Sequence, residues 1–198
     1  MVQKKNTSEN IISTTLKLAE TIPWQKITID GIAQAEKIES SALLEIYPSK
    51  LSILDAFNRQ LDAEIIQEFA SIEKLGSVRD QLFDILMARF DLLNRYKIAV
   101  KLIYKETVPF DPLASAYGLN SLIKSMKIVL NIAGIPTCTL LGFMKTKILS
   151  AIFMRSFIAW LGDDSTDMAK TMAILDSDLV KVENFSNAIT NTCGYKRQ

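Results

Sequence analysis

A chain of 198 residues, 48% of them hydrophobic, holds one large domain or two small ones and has ample apolar material for a core. Its formal charge of +1 supplies no global positive field to draw it onto nucleic acid or an anionic membrane, so any such contact must be local. The absence of histidine excludes histidine-based acid–base chemistry and histidine-containing metal sites, and no glycine-rich loop is present to cradle a phosphate; the expectation is a protein that is not an enzyme and needs no cofactor.

Seven glycines and five prolines leave long unpunctuated stretches, which suit an all-α chain better than a strand-rich one. Residues 1 to 7 are polar and read as a frayed end. Ser8 is placed to cap a first helix carrying Ile11, Ile12, Leu16 and Leu18, which ends near Thr21 because Pro23 disfavours helical geometry in Ile22. Trp24 and Ile27 flank the following turn as an apolar clamp. Two short helices are expected, about Thr28 to Ala35 and Glu39 to Ile46. A longer one, capped by Ser49, carries Leu51, Ile53, Leu54, Phe57, Leu61 and Ile65 toward residue 70.

Ser77-Val78-Arg79-Asp80 resembles a capping box and opens a helix with Leu82, Ile85, Leu86, Phe90 and Leu93 on one stripe. Lys97 to Tyr104 reads as another helix, and Pro109, Asp111 and Pro112 mark the loop before a helix from about 113 to 133. Gly134-Ile135-Pro136 stops it. The apolar stretch from Thr137 to Gly162 is interrupted by Lys145, Lys147 and Arg155, so no uncharged run reaches the roughly 18 residues of a membrane span, and a buried helix is expected. Arg155 has three readings: reaching solvent, pairing with Asp163 or Asp164, or holding a polar ligand head group. Asp163, Asp164 and Asp167 read as caps of a last helix running toward residue 190 rather than as a cation site. Residues 191 to 198 read as a loose tail. Cys138 and Cys193 lack metal-ligand spacing, and the chain's start lacks a signal peptide's apolar core; a reducing cytoplasm is the expected compartment.

Residues Thr28 to Lys50, TIDGIAQAEKIESSALLEIYPSK, resemble the TetR-family helix-turn-helix without a gap. Thr28 matches the cap of the second helix, Ile32 and Ala33 its tightly packed positions, Ile38 and Leu43 the small core, and Tyr47-Pro48-Ser49-Lys50 the signature that opens the fourth helix. Three positions differ: Lys37 stands where the family usually has glycine, Glu39 where it has serine, and Leu44 where it has a phosphate-binding tyrosine. The resemblance implies a three-helix helix-turn-helix domain over residues 1–58 and a helical ligand-binding and dimerisation domain over residues 59–198. It also implies a regulator that binds duplex DNA as a homodimer, with Thr28, Ser40, Ser41, Leu44 and Lys50 at the DNA. Lys50 heads that set, since a point charge at a helix N-terminus suits a phosphate. Residues 1–58 carry six lysines against seven acidic groups, and the third helix has Glu39 and Glu45 with no cation of its own.

The Met and Phe residues Met87, Phe90, Met126, Met144, Phe153 and Phe157, at helical spacing, would line a pocket for an apolar small molecule if they are not plain core or a dimer face. Ligand binding would then change the spacing of the two reading heads. A second resemblance covers Gly162-Asp163-Asp164-Ser165-Thr166-Asp167 with Thr171 and Leu175-Asp176, which is similar to the terminal motif of the ninth Coq protein family of ubiquinone biosynthesis. It implies the alternative of a lipid-binding accessory protein that shares the TetR fold, takes an isoprenoid lipid and has lost DNA binding.

Overall fold

In the computed structural model, which describes the backbone of residues 2–70 and 76–194 and the side chains of residues 9–70 and 76–185, all regular structure is helical among the described residues. Helix α1 spans Val2–Thr21. It begins six residues before Ser8, because no Gly or Pro interrupts the polar segment and lysine and glutamine are good helix formers. Ile11, Ile12, Thr15, Leu16 and Ala19 form its buried stripe, and the Thr15 hydroxyl donates to the Ile11 carbonyl at 2.7 Å. Pro23 caps a single 3-10 turn, Trp24–Lys26, and Trp24 and Ile27 are both buried.

Helix α2, Ile29–Glu36, is capped by Thr28, whose hydroxyl accepts from the Gly31 N–H at 3.1 Å. It closes in a Schellman motif: the Ile38 N–H reaches the Ala33 carbonyl at 3.0 Å and Lys37 adopts the left-handed region at φ 57°. Helix α3 is Ser40–Ile46 and α4 is Lys50–Phe69. Ser49 and Ser52 cap α4 reciprocally, each backbone N–H donating to the other's hydroxyl at 3.2 Å. Helix α5, Val78–Asn94, opens with the same device built from Ser77 and Asp80, again at 3.2 Å in both directions.

Helix α6 runs Lys97–Thr107, a turn past the Tyr104 expected from the sequence, and α7 runs Pro112–Ile132 with proline at its first position and Asp111 accepting from the Ala114 N–H at 2.9 Å. Helix α8, Leu140–Leu161, is capped by Thr139, and α9 is Ala169–Gly194. Residues 191 to 194, expected in a loose tail, therefore continue α9; residues 195–198 lie outside the described residues.

Two compact units are present. The first comprises residues 1–64 and 91–125, with α1 packed on α2 and α6, α2 on α3, and the 3-10 turn on α6. Between α4 and α7 it carries a polar seam in which Ser121 donates to Asp55 and Ser125 to Asp62, both at 2.8 Å. The second comprises residues 65–90 and 126–198, centred on the α8–α9 pair. Among the described residues no helix is long and apolar enough to cross a membrane, and no cluster of acidic or thiol groups could hold a metal.

Candidate nucleic-acid interface and helical-domain interior

Leu43 anchors α3 in the first unit, and the rest of that helix faces outward: Ser41, Ala42, Leu44 and Glu45 are exposed and Ser40 is half-buried. Helical geometry puts Ser41 and Leu44 three residues apart on one face. Glu39 stands at the N-cap without a capping bond from its side chain. Thr28 is exposed with its oxygen engaged in the α2 cap, and its hydroxyl keeps a proton to donate.

Lys50 is placed differently from a simple phosphate clamp. Its ammonium donates to the carbonyls of Trp24 at 2.6 Å and Ile27 at 3.2 Å and lies 4.8 Å from the centre of the Trp24 ring. Two of its three protons are thus directed into the protein and one remains. Burial pushes its pKa down, opposed by the charges of Asp111 and Glu106. Glu106 completes the arrangement: its carboxylate accepts from the Trp24 N–H at 2.6 Å, so the end of α6 holds the 3-10 turn that positions α2. Trp24, Lys50, Glu106, Thr107, Phe110 and Asp111 border an open groove of about 510 Å³ here.

In the second unit, Phe90 of α5 stacks on Phe153 of α8 at 5.0 Å with the planes 10° apart. Trp160 lies 6.1 Å from Phe90 and 5.5 Å from Phe157. Of the six apolar residues singled out in the sequence, Phe90, Phe153 and Phe157 share this cluster, Met126 is fully buried on α7, and Met87 is half-buried on α5. Met144 is 53% exposed. Nine residues at about 100° each put it on the opposite side of α8 from Phe153.

Sequence reasoning passed over Arg89, which is 2% exposed and has its guanidinium 5.8 Å from the centre of the Phe153 ring. The signal was present, since residue 89 falls three, four and seven positions after Leu86, Ile85 and Leu82 and so continues the apolar stripe of α5. Arg155 pairs with Asp178 of α9 at 2.8 Å rather than with Asp163 or Asp164. The α8–α9 hairpin brings residues 155 and 178 level, whereas Asp163 sits at the turn itself, roughly 12 Å further along the α8 axis. Asp163 is fully buried and accepts from the Thr171 N–H and hydroxyl, both at 2.8 Å, and from Ser165, binding the 163–168 loop to the start of α9. Burial raises its pKa, but these hydrogen bonds outweigh burial and hold the carboxyl well below the usual carboxylate range.

No protein-family model matches the chain, and no curated protein matches it. Solved structures do. A TetR transcriptional regulator from Nitrosomonas europaea ATCC 19718 superposes with a TM-score of 0.71 at 16% identity, covering 88% of this chain and 96% of that one. A TetR transcriptional regulator from Rhodococcus sp. RHA1 gives 0.64 at 17% identity over 90% and 98% of the two chains. Thermus thermophilus FadR, a TetR-family repressor solved in complex with lauroyl-CoA, gives 0.59 at 17% identity over 87% and 91%. The chain therefore has the fold of the TetR-family transcriptional regulators, in its helix-turn-helix and in the helices that follow.

Proposed function

We propose that this chain is a TetR-like transcriptional regulator, with residues 1–58 as its DNA-reading domain and residues 59–198 as its ligand-binding and dimerisation domain. It acts without catalysis, in the cytoplasm, binding duplex DNA as a homodimer and changing its DNA affinity when an apolar small molecule occupies the helical domain. Thr28, Ser40, Ser41, Leu44 and Lys50 are the assigned DNA contacts. Met87, Phe90, Met126, Phe153 and Phe157 are assigned to the ligand, and Met144, from its position, to the outer face of α8. The observation that carries the reading is the TetR fold over 88% of the chain, with α3 projecting Ser41 and Leu44 from a capped helix-turn-helix.

The exposed Glu39 and Glu45 beside an engaged Lys50 favour one competing reading, a lipid-binding accessory protein of ubiquinone biosynthesis that has lost DNA binding. Fluorescence anisotropy with duplex DNA from the upstream region of the chain's own gene and with an unrelated duplex, across a salt series, separates the two. Selective binding with a steep salt slope supports the regulator. No binding to either duplex at low salt rejects it and favours the accessory protein, for which mass spectrometry of bound lipid is the next readout.

A further inference from the structure

We infer that Glu106 and Asp111 form an electrostatic catch that holds the Lys50 ammonium back from DNA, so that the corner between α6 and α7 sets how strongly the reading domain binds phosphate. The inference rests on the proposed DNA-binding role of residues 1–58 and specifies how that binding is restrained.

All of its parts belong to the first unit. Lys50 opens α4, a position that suits a phosphate contact, yet its ammonium donates to the Trp24 and Ile27 carbonyls at 2.6 and 3.2 Å and lies 4.8 Å from the centre of the Trp24 ring. Carbonyls and a ring face attract a cation through partial charges, whereas a phosphate offers a full one. Set against DNA, these neutral groups alone are a weak hold. Asp111 and Glu106 supply the full negative charges, and both favour the ammonium form of Lys50 against the burial that disfavours it.

The corner keeps the two carboxylates together and ties them to the turn that grips Lys50. The Thr107 carbonyl accepts from the Phe110 N–H at 3.2 Å and from the Asp111 N–H at 2.8 Å, closing the chain between them. Glu106 accepts the Trp24 N–H on its carboxylate at 2.6 Å and the Gln25 side-chain amide on its backbone carbonyl at 3.4 Å. Displacing the end of α6 therefore moves the carbonyls and the charges at once. The local roles of the two residues do not require charge: asparagine or serine would cap α7 as Asp111 does, and glutamine would accept from Trp24. What the charges do act on is Lys50, and the open groove of about 510 Å³ that these residues border gives its ammonium a way out.

The test removes charge and keeps shape. Glu106→Gln combined with Asp111→Asn, in the full chain, should bind an unrelated duplex about fivefold more tightly than the wild type at low salt, with native circular dichroism. The slope of affinity against salt should steepen by about 0.9, the value of one added phosphate contact. In a Lys50→Met background the same two substitutions should change affinity by less than about twofold. Unchanged affinity overturns the inference and leaves the regulator reading standing. An equal gain in the Lys50→Met background also overturns it, since the carboxylates would then only repel DNA. If Lys50→Met alone abolishes binding, the slope decides, and a gain without a steeper slope counts against the catch. Should the double variant fail to fold, Asp111→Asn alone, which keeps the α7 cap, is expected to give about a twofold gain, and no gain overturns the inference. A wild type that binds no duplex while the double variant does supports the catch. Absence of binding in both removes the regulator reading and this inference together.

Discussion

Lys37 ends α2 with φ 57° and ψ 40°, a conformation in which any residue but glycine crowds its own Cβ against the backbone. The Schellman hydrogen bonds at this point need that geometry whatever the side chain, so the chain retains the turn and bears the strain. Lys37→Gly is therefore expected to raise stability by about 0.5–1 kcal/mol in urea unfolding, and a loss would show that the lysine stem contributes packing that its exposure does not suggest. Asp163 makes the opposite case. Its folded pKa is depressed, so its contribution to stability is fully present above the ordinary carboxylate pKa of about 4 and disappears as pH falls below that value toward the folded one. Asp163→Ala should cost about 2–3 kcal/mol at pH 7 through loss of charge-assisted bonds to Thr171 and Ser165, and much less at pH 2. A pH-independent deficit would mean that the residue matters by shape alone.

Glycine separates what an element needs from what it tolerates. A Cβ on Gly142, in the first turn of α8, would lie 2.5 Å from the Pro136 carbonyl oxygen and 2.7 Å from the Thr137 Cα, both backbone atoms with nowhere to move. Gly118, within α7, would meet nothing within 4 Å. Gly142→Ala should thus destabilise by roughly 2–4 kcal/mol, while Gly118→Ala should stabilise by about 0.5–1 kcal/mol; thermal unfolding of the pair checks both signs. The caps at Thr28, Ser49 and Ser77–Asp80 were legible in the sequence, because a cap is written in neighbouring residues. So was the helix-turn-helix register from Thr28 to Lys50, which is equally local. What the sequence hid depends on partners distant along the chain. Lys50 turns toward the carbonyls of Trp24 and Ile27 because the 3-10 turn presents them, and Arg155 meets Asp178 because a hairpin aligns two long helices. Met144 misses the aromatic cluster through the phase of α8, which is legible only once the buried face of that helix is known. Arg89 was hidden for another reason: its identity, not its position, contradicts the apolar stripe it occupies.

At the scale of the whole molecule, the proposed function requires two reading heads, and the last two helices leave apolar side chains exposed among the described residues. On α8 Ile158 is 54% exposed, and on α9 Val182 and Phe185, three residues apart on one face, are 38% and 69% exposed, apolar side chains on helices already packed against each other within the second unit. Exposed apolar surface of this kind is stabilised by association with a second copy. Sedimentation at micromolar concentration should therefore give a dimer of the 22.2 kDa chain, and Ile158→Glu combined with Phe185→Glu should give a monomer with unchanged helical content. DNA binding should fall with it, because a monomer engages one half-site and neutralises about half as many phosphates, so the slope of affinity against salt should also halve. A monomeric wild type that still binds its own upstream duplex selectively would keep the regulator and remove the dimer. If the variant becomes monomeric yet binds the selected duplex with undiminished affinity and salt slope, the two reading heads do not act together, and DNA recognition belongs to the single helix-turn-helix.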